Sequence, residues 1–344
     1  MAKIACVTGA SGFIGTHMVR ELLEHGYEVR ATVRDRSDPR KVKHLNELAE
    51  SLNAKSRLSI YSADLMEAGV FDSIFEGVDT VFHIAAAEFF AAKDPQKEIV
   101  DIAVKGTRNV LESVKKNPSI KALAVTSSIA AVTSVRAKPE HEFTEDDWCD
   151  ADNVKKLPYS IAKTQSEKEL WKFYDQYGKE RSLSMTVVNP VVVTGPAYTK
   201  GHMRSSLALV RDAYGNKFGG APPLCFNLVD VRDVAKVLRL GAESKISGRF
   251  IMSSGYRWIK EIAEYLNSIR PGRNISTKSI PKLFLYLFAI FSKRTTFSFF
   301  WNNLDRVDKV SGKRLQETFK IELMSVEDSL RDTVESMDSL NLVR

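Results

Sequence analysis

The chain has 344 residues, and its 50 lysines and arginines outnumber its 43 aspartates and glutamates to give a formal net charge of +7. Hydrophobic residues (44%) and charged residues (27%) are in ordinary proportion for a soluble globular protein, which excludes a disordered tail, a collagen and a coiled coil, and the length favours two lobes over one core. The positive charge forms no long block, so nucleic acid is not expected as a partner.

Short apolar strands alternate with helices over the first three quarters of the chain. This alternation predicts an α/β fold with a doubly wound parallel sheet (Rossmann) that is covered by helices on both faces. The predicted strands are Ile4–Thr8, Glu28–Val33, Leu58–Ser62, Thr80–Ile84, Ala122–Thr126, Met185–Val188 and Arg249–Met252. The predicted helices between them are Gly12–His25, Pro39–Leu52, Pro95–Val114, Pro158–Tyr177 and Asp230–Ala242.

The regular pattern weakens after Asn189, where glycines and prolines punctuate the chain, and it resumes as helix from Tyr256 onward. We therefore predict that residues 1–189 and 226–253 form the sheet domain. Residues 190–225 and 254–344 form a smaller, mostly helical C-terminal substrate lobe.

The sequence gives no sign of a targeting or transmembrane segment. The first strand begins at Ile4, so no signal peptide is expected. The longest apolar run, Leu283–Phe291, is about half of the roughly 20 residues that a membrane-spanning helix needs. We expect it to form a buried or lobe-contact helix, and contact with a membrane surface stays open. Three scattered cysteines favour a reducing compartment, so a cytoplasmic location is expected.

The turn after the first strand carries three glycines with the spacing GxxGxxG. Gly9 permits a tight turn, Gly12 lets the backbone approach a pyrophosphate, and Gly15 lets the helix pack on the strand. The helix N-terminus then offers N–H groups and the positive end of its dipole to phosphates. A purely structural turn is the alternative. The strand–turn–helix context favours a dinucleotide site formed by Gly9, Ser11, Gly12, Phe13 and Ile14.

The residues that follow the second strand bear on the choice of nicotinamide cofactor. NAD-binding proteins usually place an acidic residue there to bind the ribose 2′-hydroxyl. This chain has Arg34, and a guanidinium can bind a 2′-phosphate through two hydrogen bonds. We therefore expect NADP(H) to bind in the sheet domain. A solvated, basic helix start is the alternative, and Asp35 leaves some room for NAD.

Two further strand ends carry candidate cofactor contacts. Asp64 and Leu65 follow the third strand, where the carboxylate can accept the adenine amino group or can cap a helix around Glu67. The fourth strand ends in small residues, including Ala85, that let the backbone lie against a dinucleotide. His83, beside them, is expected to be a packed, hydrogen-bonded side chain rather than a catalyst.

A candidate proton-transfer group lies on the helix that begins at Pro158. Tyr159 and Lys163 are four residues apart and share one helix face. A phenol is a poor acid–base group near neutral pH unless its anion is stabilised, which a nearby ammonium can do. An ordinary surface pair is the alternative. Ser127 and Ser128, however, follow the fifth strand, and ligands of doubly wound sheets bind beyond such strand ends.

With these motifs the sequence resembles the extended short-chain dehydrogenase/reductases. Within them it is most similar to the group of dihydroflavonol 4-reductase, cinnamoyl-CoA reductase and the fungal aldehyde and methylglyoxal reductases. The resemblance covers nearly the whole chain and implies an NADP-dependent oxidoreductase. The matching stretches are 7–15, 29–35, 81–83, 125–128, 159–163, 189–196, 229–235 and 325–334.

The resemblance also implies roles for individual residues. Tyr159 would be the general acid, Lys163 would stabilise its anion and bind the ribose, and Ser128, with Ser127 as second candidate, would bind the substrate carbonyl. Relatives often carry an Asn relay on or near the helix that corresponds to Pro95–Val114, for which this chain offers only Asn109. Arg34, with Lys41 or Lys43, would contact the 2′-phosphate. Pro190 would contact the nicotinamide ring, and Val193 or Thr194 would contact its carboxamide.

The leading prediction is NADPH-dependent reduction of a small aldehyde or ketone to an alcohol. A nucleotide-sugar epimerase or dehydratase, a hydroxysteroid dehydrogenase and a non-catalytic NADP-sensing protein are the alternatives. A homodimer through the helices around 95–117 and 158–179 is possible, and no metal is expected. The substrate lobe leaves the substrate undetermined. Candidate lining residues are Glu88, Phe89, Phe90, Ala131, Thr133, Tyr198 and His202, with Phe284, Phe288 and Phe291 either capping the pocket or buried between the lobes.

Overall fold

The computed structural model describes residues 3–85, 92–134, 137–138, 140–153, 157–204, 206–291 and 297–342. Twelve strands lie within these ranges. In chain order they are β1 Ile4–Thr8, β2 Glu28–Val33, β3 Leu58–Ser62, β4 Thr80–His83, β5 Ala122–Thr126, β6 Glu142–Phe143, β7 Ser184–Pro190, β8 Val192–Thr194, β9 Cys225–Asp230, β10 Gly248–Met252, β11 Gly255–Trp258 and β12 Lys309–Val310.

Seven of these strands form one parallel sheet in the order β10-β7-β5-β4-β1-β2-β3. The chain moves outward from β1 to β3, then returns to place β4 on the other side of β1. The gap between β1 and β4 is therefore the switch point at which doubly wound sheets bind ligands, beyond the carboxyl ends of the strands. The predicted fold class is confirmed.

Helices cover both faces of this sheet. Within the described ranges the α-helices are α1 Phe13–Glu24, α2 Pro39–Ser51, α3 Asp101–Lys116, α4 Pro158–Phe173, α5 Leu207–Tyr214, α6 Val231–Glu243, α7 Ile259–Ile269, α8 Lys282–Phe291, α9 Phe297–Asn303, α10 Lys313–Phe319 and α11 Val326–Ser339. One core joins α1, α2 and α6 to the sheet, and a second core joins α3 and α4 to the opposite face. A π-helical turn, Gln96–Val100, leads into α3, and another, Tyr174–Gly178, follows α4.

A second, three-stranded sheet starts the C-terminal lobe. β9 lies between β8, which is parallel to it, and β11, which is antiparallel. The prediction of helix from Tyr256 onward is wrong for residues 256–258, because Gly255–Trp258 pairs with Cys225–Leu228 and helix begins only at Ile259. β10 and α6 pack in the sheet domain, whereas β9 lies in the smaller sheet. The division at 189, 226 and 253 stays a prediction.

One local expectation is wrong, and another is confirmed only in its second half. Residues 65–77 form successive turns rather than a helix around Glu67, and Asp64 accepts the Met66 N–H at 2.9 Å. The α8 helix is a lobe-contact helix rather than a buried one: among its described side chains only Leu285 and Ala289, one turn apart, are buried. These two positions hold the helix against the lobe and leave Leu283, Phe284, Leu287, Phe288 and Ile290 exposed. Within the described ranges no helix is both long enough and apolar enough to cross a membrane.

Candidate active site

The turn between β1 and α1 lies directly against the chain that follows β4. Gly9 has a φ of +70°, and a Cβ there would lie 2.7 Å from the Ala85 Cα, so only glycine allows this approach. A Cβ on Gly15 would lie 2.2 Å from the Gly9 carbonyl oxygen, which explains the third glycine. The sequence-predicted residues Gly9 and Ala85 are thus in contact at the switch point.

The N-terminus of α1 has the properties of a phosphate site. Gly12 is extended, helix begins at Phe13, and no side chain among the described residues caps it. The backbone N–H groups of the first turn, including those of Phe13 and Ile14, and the positive end of the helix dipole therefore face the turn that contains Ser11. These features fit a dinucleotide pyrophosphate, as the glycine spacing predicts.

A histidine that sequence analysis placed in the substrate pocket instead supports this turn. His202 Nδ1 accepts the Tyr198 backbone N–H, so Nε2 carries the proton and donates it to the Ser11 carbonyl, both at 3.3 Å. The His202 ring also lies 5.8 Å from the ring of Phe13. His202 is buried, and burial lowers its pKa to about 3. It is therefore a neutral support for the phosphate turn.

Two other buried histidines pack around α1. His17 Nε2 bonds the Pro196 carbonyl at 2.8 Å, and His44 Nε2 lies 3.1 Å from the Thr16 hydroxyl. Burial lowers the pKa of both imidazoles to about 4. The rings of His44 and His202 pack edge to face, 5.5 Å apart. In the described part of the chain no group of three or more His, Cys, Asp or Glu is arranged to hold a metal ion.

The end of β2 presents an exposed guanidinium beside the third strand. Arg34 Nε lies 3.9 Å from Asp64 Oδ2, and both side chains are exposed to solvent. Asp35 turns away, because its Oδ1 accepts both the backbone N–H and the hydroxyl of Ser37 at 2.8 and 2.7 Å. The Asp35 carboxylate, whose presence favoured NAD as the alternative cofactor, is therefore bonded within a local turn. Lys41 is exposed in the first turn of α2.

The loop after β3 is held by a residue considered above as a proton relay. Asn109 Nδ2 donates to the Leu65 carbonyl at 2.7 Å. A Cβ on Gly106 would lie 3.3 Å from the Leu65 Cβ, so α3 approaches this loop closely. Asn109 therefore fixes the candidate adenine contact at Leu65.

One face of α4 carries Tyr159, Lys163 and Glu167 at successive turns. Exposure falls along this face, from 46% at Tyr159 to 1% at Glu167. Lys163 Nζ lies 5.9 Å from the centre of the Tyr159 ring. The phenol therefore opens toward solvent with an ammonium one turn behind it, as the YxxxK spacing predicts.

His83, at the end of β4, interacts both with the switch point and with the α4 face that carries Lys163. Its Nδ1 lies 2.8 Å from the Thr8 hydroxyl, and Ala85 N–H donates to that hydroxyl at 3.2 Å. Burial, with a contribution from the Lys163 charge, lowers the pKa of His83 to about 4. His83 is thus a packed, hydrogen-bonded side chain, as expected, and Lys163 is close enough to the end of β4 for its charge to act there.

The two serines after β5 face different partners. Ser127 Oγ donates to Glu167 Oε2 at 2.5 Å in a buried contact. Ser128 Oγ accepts the Ala130 N–H at 3.2 Å, at the start of a 3₁₀ turn that spans Ile129–Ala131. The Ser128 hydroxyl can still donate its own hydrogen to a ligand.

Cys149 joins this turn to α4. Its backbone N–H donates to the Ala131 carbonyl at 2.9 Å. Burial raises the pKa of its thiol, and the nearby hydroxyls of Thr164 and Ser160 on α4, next to Tyr159, oppose that increase. Because one short segment contacts both elements, the Ser128 turn and the start of α4 are held together. Ala131 is fully buried and does not line a pocket.

Glu167 is a functional candidate that sequence analysis missed. Its carboxylate accepts Asn189 Nδ2 at 2.7 Å and Arg249 Nε at 2.6 Å, in addition to the Ser127 hydroxyl. Arg249 in turn lies 3.8 Å over the Trp148 ring. One carboxylate therefore joins the ends of β5 and β7, strand β10 and the Tyr159 face. Its place one turn after Lys163 was the available signal.

The remaining predicted contacts follow β7. Pro190 is its last residue and Val193 lies in β8, and both are buried. Thr194 Oγ1 lies 2.7 Å from the Ser329 hydroxyl, so that side chain is already engaged. The nicotinamide roles of Pro190 and Val193 stay predictions. Glu88, Phe89 and Phe90 lie outside the described residues.

Comparison with known proteins gives consistent results. The profile of the NAD dependent epimerase/dehydratase family matches residues 5–249. Cinnamoyl-CoA reductase CAD2 of Medicago truncatula is 39% identical over 290 residues, which cover 81% of this chain and 84% of that protein. A bifunctional dihydroflavonol 4-reductase/flavanone 4-reductase of Malus domestica is 33% identical over 283 residues, 80% of this chain and 79% of its own length.

Among solved structures, Gre2 of Candida albicans in complex with NADPH superposes with a TM-score of 0.80. The two sequences are 25% identical, and the superposition covers 98% of this chain and 99% of that one. The similarity therefore includes both lobes.

Proposed function

Because the chain belongs to the NAD dependent epimerase/dehydratase family, we propose that it is an NADP(H)-dependent oxidoreductase that reduces an aldehyde or ketone to an alcohol. The observation that carries the proposal is the single face of α4 on which Tyr159 and Lys163 lie beside the Ser128 turn. The relatives named above are reductases, and one solved neighbour was crystallised with NADPH.

The residues present fit NADP(H). The uncapped N-terminus of α1 and the Gly9 turn would hold the pyrophosphate. Arg34, with Lys41, would hold the 2′-phosphate, since Asp35 is turned into a local hydrogen bond. Leu65, fixed by Asn109, would lie against the adenine. When bound, the reduced nicotinamide supplies a hydride to the carbonyl carbon.

The side chains of this chain perform the proton chemistry. Ser128 donates a hydrogen bond to the substrate carbonyl oxygen and so fixes its position and polarises it. Tyr159 transfers its phenolic proton to the same oxygen, which completes the alcohol, and then regains a proton from solvent, to which it is open. Lys163 stabilises the transient phenolate and binds the ribose.

Glu167 holds Tyr159 and Ser128 in fixed positions relative to each other. It lies eight residues after Tyr159 on the same helix, and it bonds Ser127, the neighbour of Ser128. A buried carboxylate with four hydrogen-bond donors, the fourth being the Trp171 indole N–H at 3.3 Å, is a rigid point, because each bond would cost free energy to break in the protein interior. Homodimerisation through α3 and α4, and a cytoplasmic location, stay predictions.

The proposal is tested by following the oxidation of NADPH across aldehydes, diketones, dihydroflavonols, steroids and a cinnamoyl-CoA thioester, with NADH as the control. We expect at least one carbonyl class to be reduced, with one alcohol formed for each NADPH consumed, or, for the thioester, one aldehyde and one free CoA thiol. Conversion of a nucleotide sugar without net NADPH consumption would instead assign the epimerase or dehydratase reaction. Tight NADPH binding with no reaction on any compound would indicate a sensing protein.

A further inference from the structure

The C-terminal lobe carries an uncovered apolar surface. Nine large hydrophobic side chains of the described residues are exposed, and seven of them lie on α8 and α9. We call these seven the α8–α9 surface: Leu283, Phe284, Leu287, Phe288 and Ile290 of α8, with Phe299 and Trp301 of α9. Outward faces of helices in globular proteins are normally polar, and contiguous apolar patches of this kind mark binding surfaces.

The geometry of α8 shows that this surface faces away from the protein. Leu285 and Ala289 are buried, and every other described apolar side chain of the helix except the half-buried Tyr286 is exposed. Tyr286 packs toward Trp301, with 6.3 Å between ring centroids, so the two helices lie side by side. A ten-residue helix is about 15 Å long, half the thickness of a bilayer core, so α8 can lie in a membrane interface but cannot cross it.

The sequence of the segment that carries this surface has charges of one sign. From residue 265 to residue 304 the sequence contains no aspartate or glutamate, although the whole chain has 43 among 344 residues, one in every eight. The same 40 residues contain Arg270, Arg273, Lys278, Lys282, Lys293 and Arg294. Arg270 and Arg273 pair with Asp338, and Lys282 pairs with Asp305. The segment that carries the apolar surface therefore has a positive net charge in the sequence, and the first acid after it, Asp305, is paired with Lys282.

We propose that the α8–α9 surface docks the protein on the interface of a membrane that contains anionic phospholipid. Apolar and aromatic side chains in a segment with several lysines and arginines, on helices too short to span, are the combination that inserts at the boundary between headgroups and acyl chains. A second copy of this chain is the less favourable occupant. A two-fold dimer would oppose the acid-poor segment to itself and bring like charges together.

The test uses the full chain and vesicles of phosphatidylcholine, with or without phosphatidylserine. The wild-type protein should sediment with the anionic vesicles about tenfold more strongly than with neutral ones, and added salt should reduce the difference. Its tryptophan emission should shift to shorter wavelength on binding. A Trp301→Phe variant should bind but lose most of that shift, because the other three tryptophans lie outside the surface.

A Phe284→Ser/Phe288→Ser double variant should lose vesicle binding while keeping the circular dichroism and melting temperature of the wild type. Tyr256→Ser, which removes an exposed aromatic ring outside the surface, should bind like the wild type. No binding to either vesicle, or equal binding to both, would overturn the proposal. So would a wild-type dimer in solution that the double variant converts to monomer, since that result assigns the surface to a second copy.

Discussion

The Ser127 hydroxyl donates a 2.5 Å hydrogen bond to the buried carboxylate of Glu167, and this bond distinguishes two adjacent serines. The Ser127 hydroxyl is bonded to α4, whereas the Ser128 hydroxyl oxygen accepts only the Ala130 backbone N–H in the contacts described. Sequence analysis left both serines open as the carbonyl ligand. The geometry favours Ser128.

Replacing Ser128 by alanine should therefore lower kcat about 100- to 1,000-fold, the loss typical of one donor to a developing oxyanion. NADPH affinity should stay unchanged, because Ser128 contacts the substrate rather than the cofactor. Steady-state kinetics with a substrate from the panel measure both quantities. Ser127→Ala is the matched control and should lose stability more than activity; the reverse pattern would assign the carbonyl to Ser127.

Glu167 does not contact the substrate, but removing its carboxylate should still weaken catalysis. In Glu167→Gln an amide N–H₂ must face the Asn189 amide or the Arg249 guanidinium, both of which are donors. We expect a lower kcat with little change in the KM for NADPH, and a lower melting temperature. Complete truncation to alanine leaves Arg249 buried without its carboxylate and should cost about 3 to 5 kcal/mol of unfolding free energy.

Glu169→Gln is the control for that measurement. Glu169 lies on the same helix and pairs with Arg108 at 2.9 Å, but this ion pair is largely exposed. Its loss should cost about 1 kcal/mol or less. Equal effects of the two substitutions would show that Glu167 has no special positioning role.

Arg34→Ala should reduce the preference for NADPH over NADH. Loss of charged hydrogen bonds to the 2′-phosphate should raise the KM for NADPH about 10- to 100-fold and leave the KM for NADH nearly unchanged. Arg40→Ala is a suitable control, because the Arg40 guanidinium is held by Asp38 at 2.9 Å. A parallel loss with both cofactors would remove Arg34 from phosphate recognition.

Stability should fall as the pH drops below 6.5. His17, His44 and His83 have folded-state pKa values lowered to about 4, and His202 to about 3, against 6.5 for the unfolded chain. The unfolded state therefore binds more protons between these values, and the stabilisation present above pH 6.5 is lost on acidification. Each histidine contributes up to about 1.4 kcal/mol per pH unit.

Urea unfolding at several pH values measures this slope. His202→Gln should reduce this slope by the contribution of one proton, because its imidazole no longer titrates. An unfolding free energy that does not vary between pH 6.5 and 5 would contradict the burial of neutral imidazoles around α1.

Local patterns predicted the elements that depend on local physics. The bounds of β1, β2, β3 and β5 agree with the prediction, because each is a short apolar run between turn residues. The strand Gly255–Trp258 was missed because its partner, Cys225–Leu228, is about 30 residues away and the segment leads directly into a helix. Local hydrophobic periodicity does not predict pairing between strands that are distant in the sequence.

The candidate site likewise contains residues that local patterns predict and residues that only the fold brings together. The glycine spacing and the YxxxK spacing reveal a turn and a helix face, so Gly9, Tyr159 and Lys163 could be found from sequence. The Glu167 contacts join residues more than 100 positions apart, from Ser127 to Arg249, and needed the fold. The apolar character of α8 was visible in the sequence, but its exposure depends on which two side chains contact the lobe.

The central claim is that the Tyr159 phenol protonates the substrate oxygen, and the most direct measurement is single-turnover NADPH oxidation by wild type and Tyr159→Phe. The variant keeps the ring and the fold but has no proton to give. The account predicts unchanged NADPH binding and a rate lower by about 100-fold or more. A Tyr159→Phe enzyme that oxidises NADPH at the wild-type rate, with the same alcohol as product, would contradict it.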